Sequence, residues 1–389
     1  MHSTTTPRIS PFTVLPMASG ARGPLASGCE QCEVGQKMVL FVSGLCPFRC
    51  FYCPVSERRN QKDGVFANER PVACDEDVLA EARAMGASGT GITGGDPLFS
   101  FPRTLHYVKL LKRELGPDHH IHLYTREPNP KKLQALAEAG LDEVRLHIPH
   151  YLWGAMESRG QAFRQVFNLA PAWGLRRGVE IPLIPDKEAD LGRLLRSLAK
   201  IGVDFVNLNE FEFSETNERN LIARGYHGNP GGGWGVQGSR IVARRILKQD
   251  WGVPVHFCSS GFKDSVQLRQ RLLRRGAKTA RPFDVLTADG TVVKGIIEPL
   301  GQGRSLVPIV RDVRTVLRLA PEMYYVNAER RRIEVSPYLL RRGAKGLRWP
   351  AFEVEEYPTA DSIEVERAPL NRAARVALAL PSRIGTGGV

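Results

Sequence analysis

Three of the seven cysteines, Cys46, Cys50 and Cys53, fall within eight positions, in the segment SGLCPFRCFYCPVSERR. A C-x3-C-x2-C spacing on one loop lets three thiolates converge on a single metal centre. A structural zinc takes four closed ligands, whereas three thiolates with no fourth beside them fit a [4Fe-4S] cluster with one iron left open. A zinc knuckle is the competing reading of such a triad alone. Farther on, ITGGDPL carries Gly94 and Gly95 at a strand end, where the missing Cβ permits close backbone approach. Cys29 and Cys32 form a C-x2-C upstream, and Cys258 closes PVHFC much later. If the last strand lies beside the first, these three could share a second metal, zinc or an auxiliary iron-sulfur cluster. Alternatively, Cys29 and Cys32 are solvent thiols and Cys258 is a small buried apolar residue. Cys74, beside a helix start, reads as structural.

The elements that must position these groups alternate. Strand-like runs KMVLFVS (37–43), GTGIT (89–93), HIHLYT (120–125), EVRLHI (143–148), GVEIPLI (178–184), DFVNLNEF (204–211) and a weaker PVHFC (254–258) are separated by helical patterns. Among these are 75–87, with Asp75 as N-cap, and 129–140, with Asn129 as cap and Pro130 at the first helical position. Six βα units predict an α/β fold, a partial (β/α)6 barrel. Period-2 alternation sends one face to the helices and the other to the lumen. It places His122 and Tyr124, Arg145 and His147, Glu180, and Asn207 and Asn209 inward on four successive strands. A structural barrel core is mainly branched aliphatic, so this polar lining reads as a ligand-filled cavity. GNPGGGWGVQG (228–238) reads as a flexible loop over the barrel top.

At this point the chain resembles the radical S-adenosylmethionine (radical SAM) superfamily. That group carries the three-cysteine motif after the first strand of a partial barrel, with an aromatic residue, here Tyr52, before the last cysteine. Its GGEP-like motif binds the amino group of SAM's methionine part; Gly94 and Gly95 match it, with Asp96 where glutamate is common. The CPFRCFYCP motif and compact barrel look closest to the pyruvate formate-lyase activating enzyme-like group. NLNEFEFSETN, CSSGFKDSVQLRQR and EEYPTADSIEVE resemble a mainly archaeal family related to it. The resemblance implies SAM as cosubstrate, a [4Fe-4S] cluster on Cys46, Cys50 and Cys53, and an external electron donor. It also implies reductive cleavage to a 5′-deoxyadenosyl radical that abstracts hydrogen, with Arg145 or His147 as partners for SAM's carboxylate.

Composition bounds the rest. With 42% hydrophobic and 24% charged residues the chain is not predominantly disordered. It lacks an 18-residue apolar run, which predicts no membrane span. Residues 1–28 lack the continuous apolar core of a signal peptide, which predicts a cytoplasmic protein; reduced thiols there, with an odd cysteine count, argue against a disulfide framework. Residues 1–28 read as a flexible segment, 29–281 as the barrel, and 282–389 as a smaller β-containing domain opening on a hairpin around Ala288-Asp289-Gly290. Of the net charge of +13, the stretch 240–281 carries +9, with eleven basic against two acidic residues. Such stripes neutralise phosphates, but a solvated helix face has the same composition. Three functions remain open: a radical SAM enzyme acting on RNA or another polyanion, a protein-modifying enzyme of glycyl-radical activase type, and a non-catalytic metal-binding protein that binds nucleic acid.

Overall fold

A computed structural model describes residues 12–300 and 305–379. The chain divides into two compact units after Arg271, inside the helix Arg269–Thr279.

The first unit opens with β1 (Phe12–Val14) and β2 (Gly20–Arg22), followed by helix α1 (Ser27–Glu33). Next come β3 (Lys37–Phe41), a short hairpin of β4 (Phe66–Ala67) and β5 (Arg70–Pro71), and then β6 (Gly89–Thr93), β7 (His120–Thr125) and β8 (Glu143–Leu146). The last strands are β9 (Arg176–Leu183), β10 (Phe205–Glu210) and β11 (Val255–Cys258). The sheet order is β1-β2-β11-β10-β9-β8-β7-β6-β3-β4-β5. From β3 to β11 seven strands run parallel, the short run at 254–258 supplying the seventh. No pairing joins β11 or β1 back to β3 among the described residues, so the barrel is open.

Strand alternation works as the apolar pattern requires. Met38 and Leu40, Ile121 and Leu123, Val144 and Leu146, and Val206 and Leu208 are all fully buried in the layer shared with the helices. The facing helices are amphipathic: Phe101–Leu115 buries Tyr107, Val108, Leu110 and Leu111 at helical spacing. In Pro130–Glu138 the Asn129 side chain accepts from Lys132 N at 3.2 Å, the expected cap.

Three expectations are corrected. Asp75 does not cap its helix: Cys74 is the N-cap, and Asp77 accepts from the Ala73 and Cys74 amides at 2.9 and 3.1 Å. A three-residue reach suits Asp77, and Asp75 instead meets His106 at 2.8 Å. Residues 12–22 are not a loose segment, because β1 and β2 form an antiparallel hairpin and β2 pairs with β11; residues 1–11 lie outside the described residues. The glycine-rich stretch is anchored at its C-terminal part. Phe213 N donates to Trp234 O at 2.7 Å, Val236 N donates to Phe211 O at 2.7 Å, and Val236 is buried.

The second unit holds a six-stranded antiparallel sheet built on Val292–Ile297. The hairpin Val285–Leu286 to Val292–Ile297 turns through Gly290, whose φ of +90° favours glycine. Ile297, Ile309, Val313, Ile333, Val335 and Leu340 form its core. On the polar side, buried Arg332 pairs with Glu334 at 2.8 Å and with Glu356. No helix among the described residues is long and apolar enough to cross a membrane.

Candidate active site

The C-terminal ends of the parallel strands surround a cavity of about 1110 Å³. Its wall includes Cys46, Cys50, Cys53, Tyr52, Gly94, Gly95, Asp96, Tyr124, Arg145, His147, Glu180 and Asn209. His122 and Asn207, expected beside them, lie below this wall, buried deeper in the lumen.

The cysteine loop leaves β3 and is held at several points. Gln61 Nε2 donates to Cys46 O at 2.9 Å, Thr216 Oγ1 to Cys53 O at 3.0 Å, and Asn217 Nδ2 to Tyr52 O at 3.2 Å. All three thiols are free and partly exposed. Arg126 Nη1 donates to Cys50 Sγ at 3.0 Å while its guanidinium stacks on Phe48, 4.6 Å from the ring centre. Burial pushes the Cys46 thiol up to about 11 and raises Cys53 as well. Among the described residues, no three His, Cys, Asp or Glu side chains meet closely enough to hold one metal ion. Three free thiols on one loop, all lining one cavity, match the ligand set of a cluster held by cysteine thiolates.

Gly94 and Gly95 owe their identity to packing against this loop. A Cβ on Gly94 would stand 2.5 Å from Ser43 O, and one on Gly95 2.5 Å from Leu45 O and 2.8 Å from Cys46 Cβ. The backbones interlock, Gly95 N donating to Ser43 O at 2.8 Å and Asp96 N to Leu45 O at 3.2 Å. Asp96 is buried and fully engaged: Oδ1 accepts from Leu98 N and Thr125 Oγ1 at 3.0 and 2.8 Å, and Oδ2 from Arg126 N at 2.8 Å. Its carboxylate thus ties β6 to β7 and sets where Arg126 begins. Burial outweighs these donors and raises its pKa.

Tyr52 OH meets His147 Nε2 at 2.9 Å. Burial first, then Arg126, pulls the His147 imidazole down to about 4, so it is neutral near pH 7. Phe51 packs edge-on against Tyr52, His150 and Phe211, and Arg224 lies 4.4 Å over its ring.

Below the cavity the polar residues pair with one another, with His122 Nδ1, Glu143 Oε2 and Asn207 Oδ1 left without a hydrogen bond among the described residues. Arg145 Nη1 donates to Glu180 Oε2 at 2.7 Å and Nε to Glu143 Oε1 at 2.6 Å. Glu180 also accepts from Asn209 and Asn207 at 2.9 and 3.1 Å. Burial raises the Glu180 pKa, but Arg145 and the two amides outweigh it and hold the carboxyl low. His122 Nε2 meets Tyr124 OH at 2.9 Å. Helix α1 approaches so closely that a Cβ on Gly28 would lie 2.5 Å from both Arg145 Nη2 and His122 Nδ1. Arg145 is thus paired with two carboxylates of the protein while still lining the cavity, and its Nη2 makes no hydrogen bond among the described residues.

Among the described residues, Cys29, Cys32 and Cys258 form no three-ligand group. Cys29 Sγ accepts from Asn207 Nδ2 at 3.0 Å, and Cys258 Sγ from Gln267 Nε2 at 3.5 Å. Cys29 and Cys258 are buried and Cys32 is half-buried. In the basic stretch, Arg240 makes a two-pronged pair with Glu210 at 2.6 and 3.2 Å, Arg245 pairs with Glu188 at 2.5 Å, Arg271 with Glu69, and Arg281 with Glu334 at 2.6 Å. These four of the stretch's eleven basic residues are thus paired with the protein's own carboxylates. Sequence reasoning missed Arg126, Glu210, Glu212 and Lys263, all of which line the cavity. Period 2 could not find the two glutamates, because the inward series Asn207, Asn209 continues to Phe211 and leaves Glu210 and Glu212 on the other parity.

The model of the radical SAM superfamily matches residues 40–154, and that of a domain of unknown function, DUF8061, matches residues 290–370. A protein of Methanocaldococcus jannaschii named "Putative glycyl-radical enzyme activating enzyme" is 36% identical over 360 residues, covering 89% of this chain and 93% of that one. Among solved structures, Streptococcus suis SuiB bound to the precursor peptide SuiA matches with 12% identity and a TM-score of 0.36, covering 47% of this chain and 42% of SuiB. Methylornithine synthase (PylB) matches with 15% identity and a TM-score of 0.38, covering 58% and 71%. The three-cysteine loop, the interlocked glycine pair and the full-length relative converge on one conclusion: the chain belongs to the radical SAM superfamily, in its pyruvate formate-lyase activating enzyme-like group, and is an enzyme.

Proposed function

We propose that this chain cleaves SAM reductively at a [4Fe-4S] cluster held by Cys46, Cys50 and Cys53, and directs the resulting hydrogen abstraction at a substrate in the cavity above the strands. The observation that carries this reading is that three free thiols and the Gly94-Gly95 turn line one cavity. When bound, the cluster and SAM supply an electron and a 5′-deoxyadenosyl radical, the hard part of the chemistry. The protein's own work is positioning and shielding. Arg126 places a cation and a hydrogen-bond donor on Cys50 Sγ. Asp96 fixes Arg126 through its amide. Tyr52, Phe51, Phe211 and Tyr226 form an aromatic wall that excludes water from this side. A one-electron donor from outside the chain completes the requirement.

The relative's name supports a glycyl residue of a second protein as one source of the abstracted hydrogen. The pairing of Arg240, Arg245, Arg271 and Arg281 supports a structural role for the basic stretch over a phosphate-binding one. Anaerobic reconstitution with iron and sulfide, reduction, and addition of SAM should give 5′-deoxyadenosine and methionine in equal amounts. A reconstituted protein that binds iron yet forms neither product would sink the proposal.

A further inference from the structure

Within the cavity most charged side chains are already fully employed. Asp96, Arg145, Glu180 and Glu210 each hold two or more polar partners, and Arg126 is held by Cys50 and by Tyr151 at 2.9 Å. Glu212 and Lys263 differ. Their side chains meet only at a long 3.3 Å, Nζ to Oε1, with 33% of the Lys263 side chain and 25% of the Glu212 side chain exposed, and both line the cavity. An ammonium has three donors and a carboxylate about four acceptor sites, so most of the pair's bonding capacity remains available. Lys263 begins a π-helical turn, Lys263–Leu268, a rare geometry that recurs at functional sites. The turn follows Ser260, whose amide and hydroxyl both donate to Glu210 Oε2 at 2.9 Å, so the base of the lysine is rigidly fixed. Burial pulls the Lys263 ammonium pKa down, but Glu212, Cys258 and Glu180 outweigh it and keep the group charged.

The chemistry of a matched pair restricts what can replace it. A purely anionic ligand taking Lys263 would strand the Glu212 carboxylate in a partly desolvated wall, and a purely cationic ligand would strand Lys263. With a ligand covering the wall, an unpaired charge there also loses its water, which disfavours such a complex. A molecule with both charges a short distance apart satisfies each and leaves the net charge of the wall unchanged. At about 1110 Å³ the cavity also exceeds the roughly 300–1,000 Å³ of single-ligand sites. Lys263 follows β11, five strands along the sheet from β6, which carries Gly94 and Gly95.

We propose that Lys263 and Glu212 are the recognition pair for a second small molecule, a free amino acid zwitterion, whose carboxylate takes Lys263 and whose ammonium takes Glu212. This rests on the reading of the cavity as the place where substrate meets SAM. It names the substrate class the cavity wall favours over a glycyl residue inside a polypeptide, which carries neither charge.

The test is equilibrium dialysis of reconstituted, SAM-loaded full-length protein against each of the twenty common L-amino acids, radiolabelled. At least one should bind, and its decarboxylated amine and its deaminated acid should each bind about ten- to a hundredfold more weakly. Lys263→Met and Glu212→Gln should lose binding by a similar factor, and the exchanged pair Lys263→Glu with Glu212→Lys should recover most of it. Thermal unfolding monitors folding, with Lys263→Arg and Glu212→Asp as the fallback pair. The proposal is overturned if no amino acid binds more tightly than about 1 mM, or if the analogues or single variants bind as well as their parents. It is equally overturned if a glycine-containing peptide blocked at both ends binds as tightly. If the single variants weaken SAM itself by the same factor, the pair holds SAM and the second-molecule assignment fails. Failure of the radical reading shows up separately, as absence of 5′-deoxyadenosine from the wild-type protein.

Discussion

The two ends of one barrel lumen are lined by similar residue types and do opposite things. At the lower end Lys37 Nζ reaches Gln31 Oε1 at 2.8 Å, His120 Nδ1 at 2.6 Å and His120 O at 2.9 Å, and buried Glu143 clamps Arg145. At the upper end three thiols, Glu212 and Lys263 face open space. A polar lining is therefore not by itself the mark of a ligand site. What separates the two is access: the lower charges are buried and paired within the fold, although His122 Nδ1, Glu143 Oε2 and Asn207 Oδ1 keep no hydrogen bond among the described residues, and the upper ones face the cavity. The difference also explains why Arg145 and Glu180, although they touch the cavity floor, act as its foundation.

The contrast predicts where substitutions act. The largest effect is expected at the upper end: Cys50→Ala should abolish 5′-deoxyadenosine formation to background and remove the cluster's absorbance, with little change in the unfolding free energy. If Cys50→Ala retained turnover, the cysteine loop would not be the chemical centre. At the lower end Arg145→Met strands Glu143 and Glu180, and breaking such a buried pair costs about 3–5 kcal/mol. Lys263→Met, in a partly exposed pair, should change stability by less than about 1 kcal/mol. Denaturant titrations giving equal losses for the two would erase the distinction drawn between the ends.

Gly95→Ala sits between these extremes. The added methyl would meet Leu45 O and Cys46 Cβ, and overpacking of this kind costs about 1–3 kcal/mol. The variant should therefore lose cluster content as well as stability, measured as iron per folded chain.

A smaller effect concerns pH. Burial first, then the Lys37 charge, pulls both His119 and His120 down to about 4. An unfolded chain would titrate these imidazoles near 6.5, so between about pH 6.5 and 4 it binds more protons than the folded one. Stability present above pH 6.5 should drain away as the pH falls through that window. His120→Asn should flatten the decline, and a midpoint denaturant concentration independent of pH between 7 and 4.5 would contradict the account.

Much of this was legible in the sequence. Cys46, Cys50 and Cys53 were readable because spacing on a loop is a local property, and the βα rhythm was readable because apolar period 2 survives in every barrel strand. The inward placement of Arg145, Glu180 and Asn207 was equally local. Their partners were not, since Arg145 is held by Glu180 thirty-five positions away and Cys29 by Asn207 one hundred and seventy-eight away. The basic stretch misled for the same reason: Arg240 and Arg245 look free in sequence because Glu210 and Glu188 reach them only through the fold. Lys263 carries no local pattern at all.

The hairpin of β1 and β2 has a bearing on solubility. An open parallel barrel leaves its last strand with a row of unpaired amides and carbonyls, the template on which chains associate edge to edge. Here β2 covers β11 from Val255 to Phe257, and the three-residue β1 becomes the new border. At the other border β5 is only two residues long and includes Pro71, which has no amide hydrogen to offer a neighbour. A chain that begins after Arg22 would expose the apolar strand Val255-His256-Phe257-Cys258 to any passing strand, turning a contained sheet into one that recruits copies of itself.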